Sequence, residues 1–452
     1  MEIFSRHPHF KEVESVCRRL TEAGYQAFLA GGCVRDALLG RPSNDFDVAT
    51  SANPDEIEAL FPKSLAVGKQ FGVVILPFDG FQIEVATFRL DGEYQDGRHP
   101  EKVTFSTPED DAGRRDFTVN ALFYDLSEHK VIDYVGGIAD LERKLLRTVG
   151  DPQKRFAEDR LRILRAVRIA AQLGFDIERA TFKAVCDWAK EVCVVSQERV
   201  TAEIKKMLSL KNRIQALHDL QVSGLAIEVL PELGYFSINQ ELAARKSKHL
   251  GQLLGDEARP GILWSLLLWQ EVEGLRQELV SADDWPPLVK GLVELILRRL
   301  KCSNQEISET VFVLTHYREL LEVTESDDFK PFPRTTLPSF EVGKLLLLDH
   351  PEGLTLLDFA MAVAAQENVG QEQVLFIHQE YLWRVDPKTG KLPHPWVKGG
   401  DLSALGFSPG PEMGLVLDDL YRAQIAGEVA GKKEALARAR ALQNELAKEH
   451  ND

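Results

Sequence analysis

The sequence is poor in cysteine and contains no Cys-x-x-Cys pair. Five scattered cysteines in 452 residues argue against both a zinc site and the disulfide framework of a small secreted protein. They are Cys17, Cys33, Cys186, Cys193 and Cys302.

Long hydrophobic runs are also missing. The most apolar stretches, residues 261–269 and 345–348, are far shorter than the roughly 20 residues that a transmembrane helix needs. The N-terminal segment has no apolar signal core. We therefore expect no membrane association and a cytoplasmic location.

The sequence contains fewer basic than acidic residues: 54 Lys and Arg against 70 Asp and Glu, which gives a net charge of −16. This balance argues against a protein that coats nucleic acid non-specifically. Two segments are exceptions, since residues 141–170 contain nine basic and four acidic side chains, and residues 199–213 contain five and one. They are consistent with a confined polyanion site on an acidic protein; solvated helix faces are the alternative.

The sequence does have the composition of a globular protein, with 44% hydrophobic and 27% charged residues and a length typical of two to four compact units. In the first 140 residues, Asp79-Gly80 between the apolar segments 71–78 and 81–88 predicts a β-hairpin. From Asp140 onward almost every segment has helical periodicity. The predicted fold class is α+β: a small, partly antiparallel sheet followed by helices.

A glycine turn and two carboxylates lie close together in the sequence. Gly31-Gly32 separate a predicted strand from a predicted helix, where glycine lets backbone N–H groups approach a phosphate and Arg35 can add positive charge. In a strand over residues 44–50, Asp45 and Asp47 would share one face. Two such carboxylates repel each other unless a cation lies between them, and Mg²⁺ prefers oxygen ligands.

Glu84, on the second strand of the predicted hairpin, is a candidate third carboxylate. With the Asp45–Asp47 pair it indicates a two-metal nucleotidyl-transfer site. The alternatives are structural: a solvated turn for the aspartates, a tight bend for the glycines, and an outward-facing charge on an edge strand for Glu84.

Four motifs together resemble a known family, the class II tRNA nucleotidyltransferases. This family contains the CCA-adding enzymes and their bacterial poly(A) polymerase relatives, within the polymerase-β-like superfamily. The motifs are GGCVRD with DFDVAT (31–50), RRDFTVNALFYD (114–125), EDRLRILRAVRIAAQLGF (158–175) and DLSALGFSPGPEMGLVLDDLYRAQIAGEV (401–429).

The resemblance implies four parts. A polymerase-β-like nucleotidyltransferase head with a small mixed sheet would span residues 1–139, followed by a helical neck (140–213), body (214–335) and tail (336–452). It also implies Mg²⁺ as cofactor, and tRNA, CTP and ATP as partners, with no obligate protein partner.

The resemblance also implies roles for individual residues. Asp45 and Asp47 match metal ligands, with Glu84 as a further catalytic carboxylate, and Asp116 and Asn120 would help to place the sugar and the neighbouring loop. An ion pair between Arg115 and Asp116 is the structural alternative for those two. The positions that match nucleotide-contacting residues are Gly32, Arg35, Arg115, Asp116, Asp159, Arg162, Arg165 and Arg168.

Asp159 and Arg162 suggest how a nucleobase is chosen. Three residues apart on a helix, they would be neighbours on one face. A carboxylate only accepts hydrogen bonds and a guanidinium only donates, which suits the amino group and ring nitrogen of cytosine and adenine but not uracil or guanine. A surface salt bridge is the alternative. On an ideal helix Arg165 would reach phosphate, whereas Arg168 would lie opposite Asp159.

The polar segment 90–108 resembles the flexible loop of the family, which favours complete CCA addition or terminal A addition. We therefore expect a template-independent enzyme that adds C, C and A to the tRNA 3′ end. An A-adding enzyme or a poly(A) polymerase is the alternative within the same chemistry. An inactive RNA-binding module is a remote alternative from a different class.

Overall fold

The computed structural model describes residue 4 and residues 7–43, 45–65, 69–92, 103–232, 259–278, 285–322, 336–337 and 339–449. The chain divides into two compact units, Met1–Tyr235 and Phe236–Asp452. The boundaries of a four-part division remain a prediction. Among the described helices, none is long and apolar enough to cross a bilayer.

Six strands of the first unit form one mixed sheet in the order β3-β4-β2-β1-β7-β8. Two short pairs, β5 with β6 and β9 with β10, lie outside this sheet. The strands are β1 (Ala27–Ala30), β2 (Asp47–Thr50), β3 (Val73–Phe78), β4 (Phe81–Thr87), β5 (Arg89–Asp91), β6 (Val103–Phe105), β7 (Leu122–Asp125), β8 (Lys130–Asp133), β9 (Leu145–Leu146) and β10 (Asp176–Ile177).

The centre of the sheet follows from its sequence pattern. All four residues of β1 are buried, and it pairs antiparallel with both β2 and β7. The predicted hairpin is confirmed, since β3 and β4 pair antiparallel with Phe78 opposite Phe81 and leave Asp79-Gly80 as the turn. Strand β4 also pairs in parallel with β2, which places Asp47 opposite Glu84.

Helices of the first unit lie before, between and after the strands. They are α1 (Phe10–Glu22), α2 (Gly32–Leu38), α3 (Pro54–Leu60), α4 (Pro108–Gly113), α5 (Gly137–Glu142), α6 (Pro152–Glu158), α7 (Leu161–Leu173), α8 (Arg179–Asp187), α9 (Gln197–Leu208), α10 (Arg213–Val222) and α11 (Leu225–Val229).

In its described residues the second unit consists of helices. They are α12 (Pro260–Glu278), α13 (Trp285–Arg299), α14 (Asn304–Leu321), α15 (Ser339–Asp349), α16 (Gly353–Glu367), α17 (Gln371–Arg384), α18 (Gly399–Ser403), α19 (Pro411–Ala426) and α20 (Lys432–Glu449). Large apolar side chains such as Trp264, Trp269 and Phe359 are buried between them. The predicted α+β class is confirmed.

Two local expectations need correction. Strand β2 begins at Asp47 rather than at residue 44, so Asp45 lies in the segment before it. The chain from Asp140 onward also contains strands besides the expected helices, because β9 and β10 pair in parallel there. Part of the predicted loop at 90–108 belongs to the β5–β6 pair, and residues 93–102 of it lie outside the described residues.

Candidate active site

A cavity of about 460 Å³ in the first unit is lined by four separate stretches of the chain. These stretches are the glycine turn after β1, the start of β2, residues 114–120, and residues 159–172. The lining residues are Gly31, Gly32, Arg35, Asp47, Arg114, Arg115, Asp116, Asn120, Asp159, Arg162, Arg165, Arg168, Ile169 and Gln172.

The glycine turn brings the backbone to the edge of this cavity. Gly31 has φ +75°, a left-handed conformation that side chains other than glycine rarely adopt. A Cβ atom there would lie 3.1 Å from Nη1 of Arg115 and 3.6 Å from Oδ2 of Asp47. Gly31 therefore permits close contact between the turn, an arginine and a carboxylate.

Arg35 of α2 is buried beside the turn. Its Nε and Nη2 donate hydrogen bonds of 2.8 Å to the carboxylate of Asp36, and its Nη1 donates to Oδ1 of Asn120 at 2.6 Å. Such a two-pronged contact orients a guanidinium. Arg35 is thus held in place by residues from two of the motifs.

The three predicted carboxylates, Asp45, Asp47 and Glu84, lie near one another, but of the three only Asp47 lines the described cavity. The expected alternation is confirmed: Asp45 and Asp47 are exposed, whereas Phe46 between them is buried. Glu84 is exposed on β4, directly opposite Asp47. The interpretation of Glu84 as a charge on an edge strand is wrong, because β4 lies between β2 and β3.

The surroundings of Asp47 favour a bound cation. The protein around this carboxyl group and the negative charge of Glu84 raise its pKa to about 6, against the opposing effect of Arg115. In the described residues no group of three or more His, Cys, Asp or Glu side chains is arranged to hold a metal ion. Asp45, Asp47 and Glu84 would therefore hold a divalent cation only together with other oxygen ligands, as Mg²⁺ sites commonly do.

The second motif contributes a network of charged groups. Arg115 donates from Nε and Nη2 to Asp111 at 3.2 and 3.0 Å, and from Nη1 to the backbone carbonyl of Asn120 at 3.2 Å. Asp116 accepts from Arg165 at 2.9 and 2.6 Å. An Arg115–Asp116 ion pair, the structural alternative for these residues, is therefore not what the structure contains.

Asp116 is strongly held in its ionised form. Burial alone would raise the pKa of its carboxyl group, but the guanidinium of Arg165 outweighs that effect and holds the pKa at about 2. Its Oδ1 also accepts from the side-chain amide of Asn120 at 3.2 Å. Asp116 thus connects the second motif to α7.

The expected helical spacing of Asp159 and Arg162 is wrong, although both line the cavity. Helix α6 ends at Glu158, and Asp159 has an extended backbone with φ −140° and ψ 107°. Its Oδ1 accepts from the backbone N–H of Leu161, the first residue of α7, at 3.0 Å. The alternative, a surface salt bridge between Asp159 and Arg162, is wrong as well. Asp159 accepts instead from Nη2 of Arg199, at 3.0 and 3.3 Å.

Arg162 is buried and held from three directions. Its Nη1 donates to Glu158 at 2.5 Å and to the carbonyl of Arg155 at 3.1 Å, and its Nη2 donates to the carbonyl of Arg114 at 3.1 Å. In the described part of the chain these bonds engage three of the five guanidinium donors. With respect to the described residues, the other two N–H donors of Arg162 are left for a ligand.

Arg168 lines the same cavity, contrary to its expected position opposite Asp159. Because Asp159 precedes α7, the helical angle between the two residues does not apply. Nε of Arg168 donates to Glu203 of α9 at 2.5 Å, and Nη1 donates to Gln172 at 2.9 Å. Arg168 therefore braces α7 against α9.

Sequence reasoning missed several residues of this site. Arg114 and Gln172 line the cavity, and Asp111, Arg199 and Glu203 hold its charged side chains. Asp111 and Arg114 lie next to or within the second motif, so adjacency could have identified them. Arg199 and Glu203 lie on α9, 40 and 35 residues beyond Asp159 and Arg168, where no local pattern points back to them.

Comparisons with known proteins agree with this organisation. Residues 27–147 match the family described as the poly A polymerase head domain, and residues 174–236 match one described as a probable RNA and SrmB-binding site of polymerase A. A CCA-adding enzyme of Bacillus licheniformis is 33% identical over 437 residues, which span 94% of this chain and 96% of the relative. One of Geobacillus thermodenitrificans is 46% identical over 221 residues, 48% of this chain and 54% of the relative.

Solved structures of similar proteins cover almost the whole chain. The Bacillus stearothermophilus CCA-adding enzyme in complex with CTP has a TM-score of 0.73 and 29% identity, over 97% of this chain and all of that one. The Thermotoga maritima CCA-adding enzyme complexed with tRNA has a TM-score of 0.64 and 20% identity, over 98% of both chains, and supports the fold alone. The chain belongs to the family of CCA-adding enzymes, and it is a nucleotidyltransferase.

Proposed function

We propose that this protein adds C, C and A in turn to the 3′ end of tRNA, using CTP and ATP without a nucleic-acid template and releasing pyrophosphate. The observation that carries the proposal is the single cavity. It gathers the glycine turn, Asp47, the Arg115–Asp116 segment and the Asp159–Arg168 segment from positions more than a hundred residues apart.

The relatives support the same substrates. Those at 33% and 46% identity are named CCA-adding enzymes, and one structural relative was solved with CTP. The high arginine content of the cavity suits a triphosphate, because guanidinium groups form paired hydrogen bonds with phosphate oxygens. A cytoplasmic location stays a prediction.

Asp45 and Asp47 would hold magnesium, with Glu84 as a further carboxylate, and triphosphate oxygens would complete the ligand set. When bound there, two magnesium ions would lower the pKa of the tRNA 3′ hydroxyl and stabilise the negative charge on the leaving pyrophosphate. Asp47 faces the cavity, so it is the carboxylate best placed to meet both a cation and the triphosphate.

Other residues would orient the nucleotide. Gly32 brings backbone close to the phosphates, and Arg35, Arg115 and Arg165 supply positive charge at positions that their acidic partners hold fixed. Such preorganised charge stabilises a transition state without rearranging during the reaction. Asn120, which contacts Arg35 and Asp116, is placed to support the sugar side of the cavity.

Asp159 and Arg162 would read the base. The carboxylate accepts from the amino group of cytosine or adenine, and a remaining donor of Arg162 reaches the neighbouring ring nitrogen. Uracil and guanine present a carbonyl and an N–H in those places, which leaves buried polar groups unpaired at a cost of about 1–3 kcal/mol each. The protein itself would thus replace a template.

The test uses three tRNA substrates, which lack CCA, CA or A, each with one labelled nucleotide at a time. We expect C, C and A to be added in that order, with no UMP or GMP incorporated, as read from product length on a gel. Addition of A alone would favour an A-adding enzyme, and long A tracts would favour a poly(A) polymerase. Tight tRNA binding without any incorporation would overturn the enzymatic proposal in favour of an RNA-binding module.

A further inference from the structure

Helix α9 contacts two residues that line the cavity, Asp159 and Arg168, through two side chains one turn apart. Arg199 donates from Nη2 to both carboxylate oxygens of Asp159, at 3.0 and 3.3 Å. Glu203, which is 3% exposed, accepts from Arg168 at 2.5 Å. Residues i and i+4 of a helix share a face, so one face of α9 holds an acidic group and a basic group of the cavity wall.

We propose that Arg199 is a positioning residue for nucleotide selection, acting through Asp159. The inference rests on the proposed function, because it assigns Arg199 to the choice between CTP or ATP and UTP or GTP. Arg199 does not itself line the cavity among the described residues. Its effect must therefore pass through the carboxylate that it contacts.

The backbone around Asp159 explains why that carboxylate needs an external partner. Asp159 is an extended residue between α6 and α7, so no helical turn on either side restricts its side chain. Two contacts do so instead: the Leu161 N–H on Oδ1 and the Arg199 guanidinium across both oxygens. A carboxylate has about four acceptor positions, so acceptor capacity remains for the amino group of a base.

Arg162, the other half of the proposed base-reading pair, has no such dependence on α9. Among the described residues, it donates three hydrogen bonds, to Glu158 and to the carbonyls of Arg155 and Arg114. Loss of Arg199 would therefore displace the acceptor and leave the donor in place. The acceptor position distinguishes an amino group from a carbonyl oxygen, so selectivity is the property that should change.

A structural role for Arg199 would have a different consequence. If it only fastened α9 to the α6–α7 junction, its loss would lower stability and slow all four nucleotides alike. Arg160 offers a matched control at that same junction. It lies 3.7 Å from Glu191, its side chain is 23% exposed against 24% for Arg199, and it does not line the described cavity.

The experiment compares the wild-type enzyme with Arg199→Gln, Arg199→Lys and the control Arg160→Gln. For each, kcat and KM are measured for CTP against UTP on tRNA lacking CCA, and for ATP against GTP on tRNA lacking only A. We expect Arg199→Gln to lower both selectivity ratios by about tenfold, with most of the change in KM for CTP and ATP. Arg160→Gln should keep the wild-type ratios.

Arg199→Lys keeps the charge but not the planar fork, so its ratios should fall between those of wild type and Arg199→Gln. It also carries the test if Arg199→Gln fails to fold. Asp159→Ala should lower the ratios at least as much, and adding Arg199→Gln to it should cause little further loss, because the two act through one group.

Wild-type ratios in folded Arg199→Gln, or in Arg199→Lys if the Gln variant is unfolded, would overturn the inference. A uniform loss for all four nucleotides, or an equal effect of Arg160→Gln, would also overturn it. Failure of the wild-type enzyme to incorporate C and A would overturn the proposed function instead. The wild-type reaction therefore distinguishes the two failures before any variant is compared.

Discussion

Asp47 combines three properties that are unusual for a surface carboxylate. It faces the cavity, it lies opposite another carboxylate in the sheet, and its pKa is raised to about 6. A carboxylate that is both crowded by negative charge and directed into an arginine-rich cavity is typical of a cation site at a reacting phosphate. Asp45 belongs to the same proposal but precedes the strand.

Substitution of either aspartate should separate catalysis from binding. We expect Asp47→Asn and Asp45→Asn to lower nucleotide incorporation by roughly 100-fold or more, because an amide is a poor ligand for a divalent cation. Binding of tRNA, measured by filter retention, should change little. Asp55→Asn is the control and should keep full activity, because Asp55 is an exposed aspartate of α3 that pairs with Lys69. Normal turnover in either site variant would remove that residue from the metal site.

The Asp116–Arg165 pair predicts how stability depends on pH. The pKa of Asp116 falls from its ordinary value of 3.8 to about 2 in the folded protein, despite the opposing effect of burial. A lowered pKa contributes stability that is complete above about pH 4 and is lost as the pH falls toward 2. Its size is about 2 kcal/mol in the free energy of unfolding.

This contribution can be isolated with Asp116→Asn. Urea unfolding of both proteins between pH 7 and pH 3 should show the wild type losing more free energy of unfolding below pH 4 than the variant does. Equal losses across that range would mean that Asp116 is not responsible. The two proteins are compared by the slope of the free energy of unfolding against pH. The variant also leaves Arg165 without Asp116 as its partner, but it does so at every pH.

At the scale of elements, short helices and turns hold the motifs together by close backbone contact. Gly137, the first residue of α5, packs against the 3₁₀ turn Thr118–Asn120 of the second motif. A Cβ atom at position 137 would lie 2.2 Å from the carbonyl oxygen of Thr118. Backbone atoms in this contact cannot move aside as a flexible side chain would.

Gly137→Ala should therefore be destabilising. We expect a loss of about 3 kcal/mol in the free energy of unfolding, at the upper end of the cost of inserting a methyl group into a packed region. Thermal unfolding measures it. Gly113→Ala provides the control, because a Cβ atom there meets nothing within 4 Å and its φ is not left-handed. Equal thermal stability of the two variants would contradict the packing argument.

The elements also show where local sequence was informative. The glycine turn and the hairpin at Asp79-Gly80 both occur, because each depends on neighbours within a few residues. The prediction that Asp159 and Arg162 share a helical face was wrong at the same scale. A hydrogen bond from the Leu161 N–H and an ion pair with Arg199 favour an extended Asp159 where the periodicity predicts a helix.

At the scale of the whole molecule, the net charge of −16 conceals a local excess of positive charge. The last turn of α9 contains Lys205 and Lys206, and the side chain of Lys206 is 62% exposed. On an acidic protein, a polyanion is attracted to such places rather than to the surface as a whole. We therefore expect part of the tRNA affinity to reside there.

Neutralising both lysines with Gln should weaken tRNA binding and make it less sensitive to salt. Loss of two phosphate contacts would lower the slope of log affinity against log salt by about 1.5. The test is to measure tRNA affinity at salt concentrations from about 50 to 300 mM, where the salt dependence is large. Lys11→Gln with Lys63→Gln, two exposed lysines of the first unit, is the matched control. A slope equal to that of the control would remove Lys205 and Lys206 from the interface.

The sequence by itself determined the order of the motifs, the fold class and the types of residue that serve the chemistry. Motif residues and turn residues depend on neighbours within a short stretch, so they can be interpreted from the sequence without the three-dimensional structure. The tertiary structure alone decided the partners: Glu84 opposite Asp47, Asp116 with Arg165, and Arg199 with Asp159. Each pair joins residues 37 to 49 positions apart, and such contacts depend on how elements pack rather than on any local pattern.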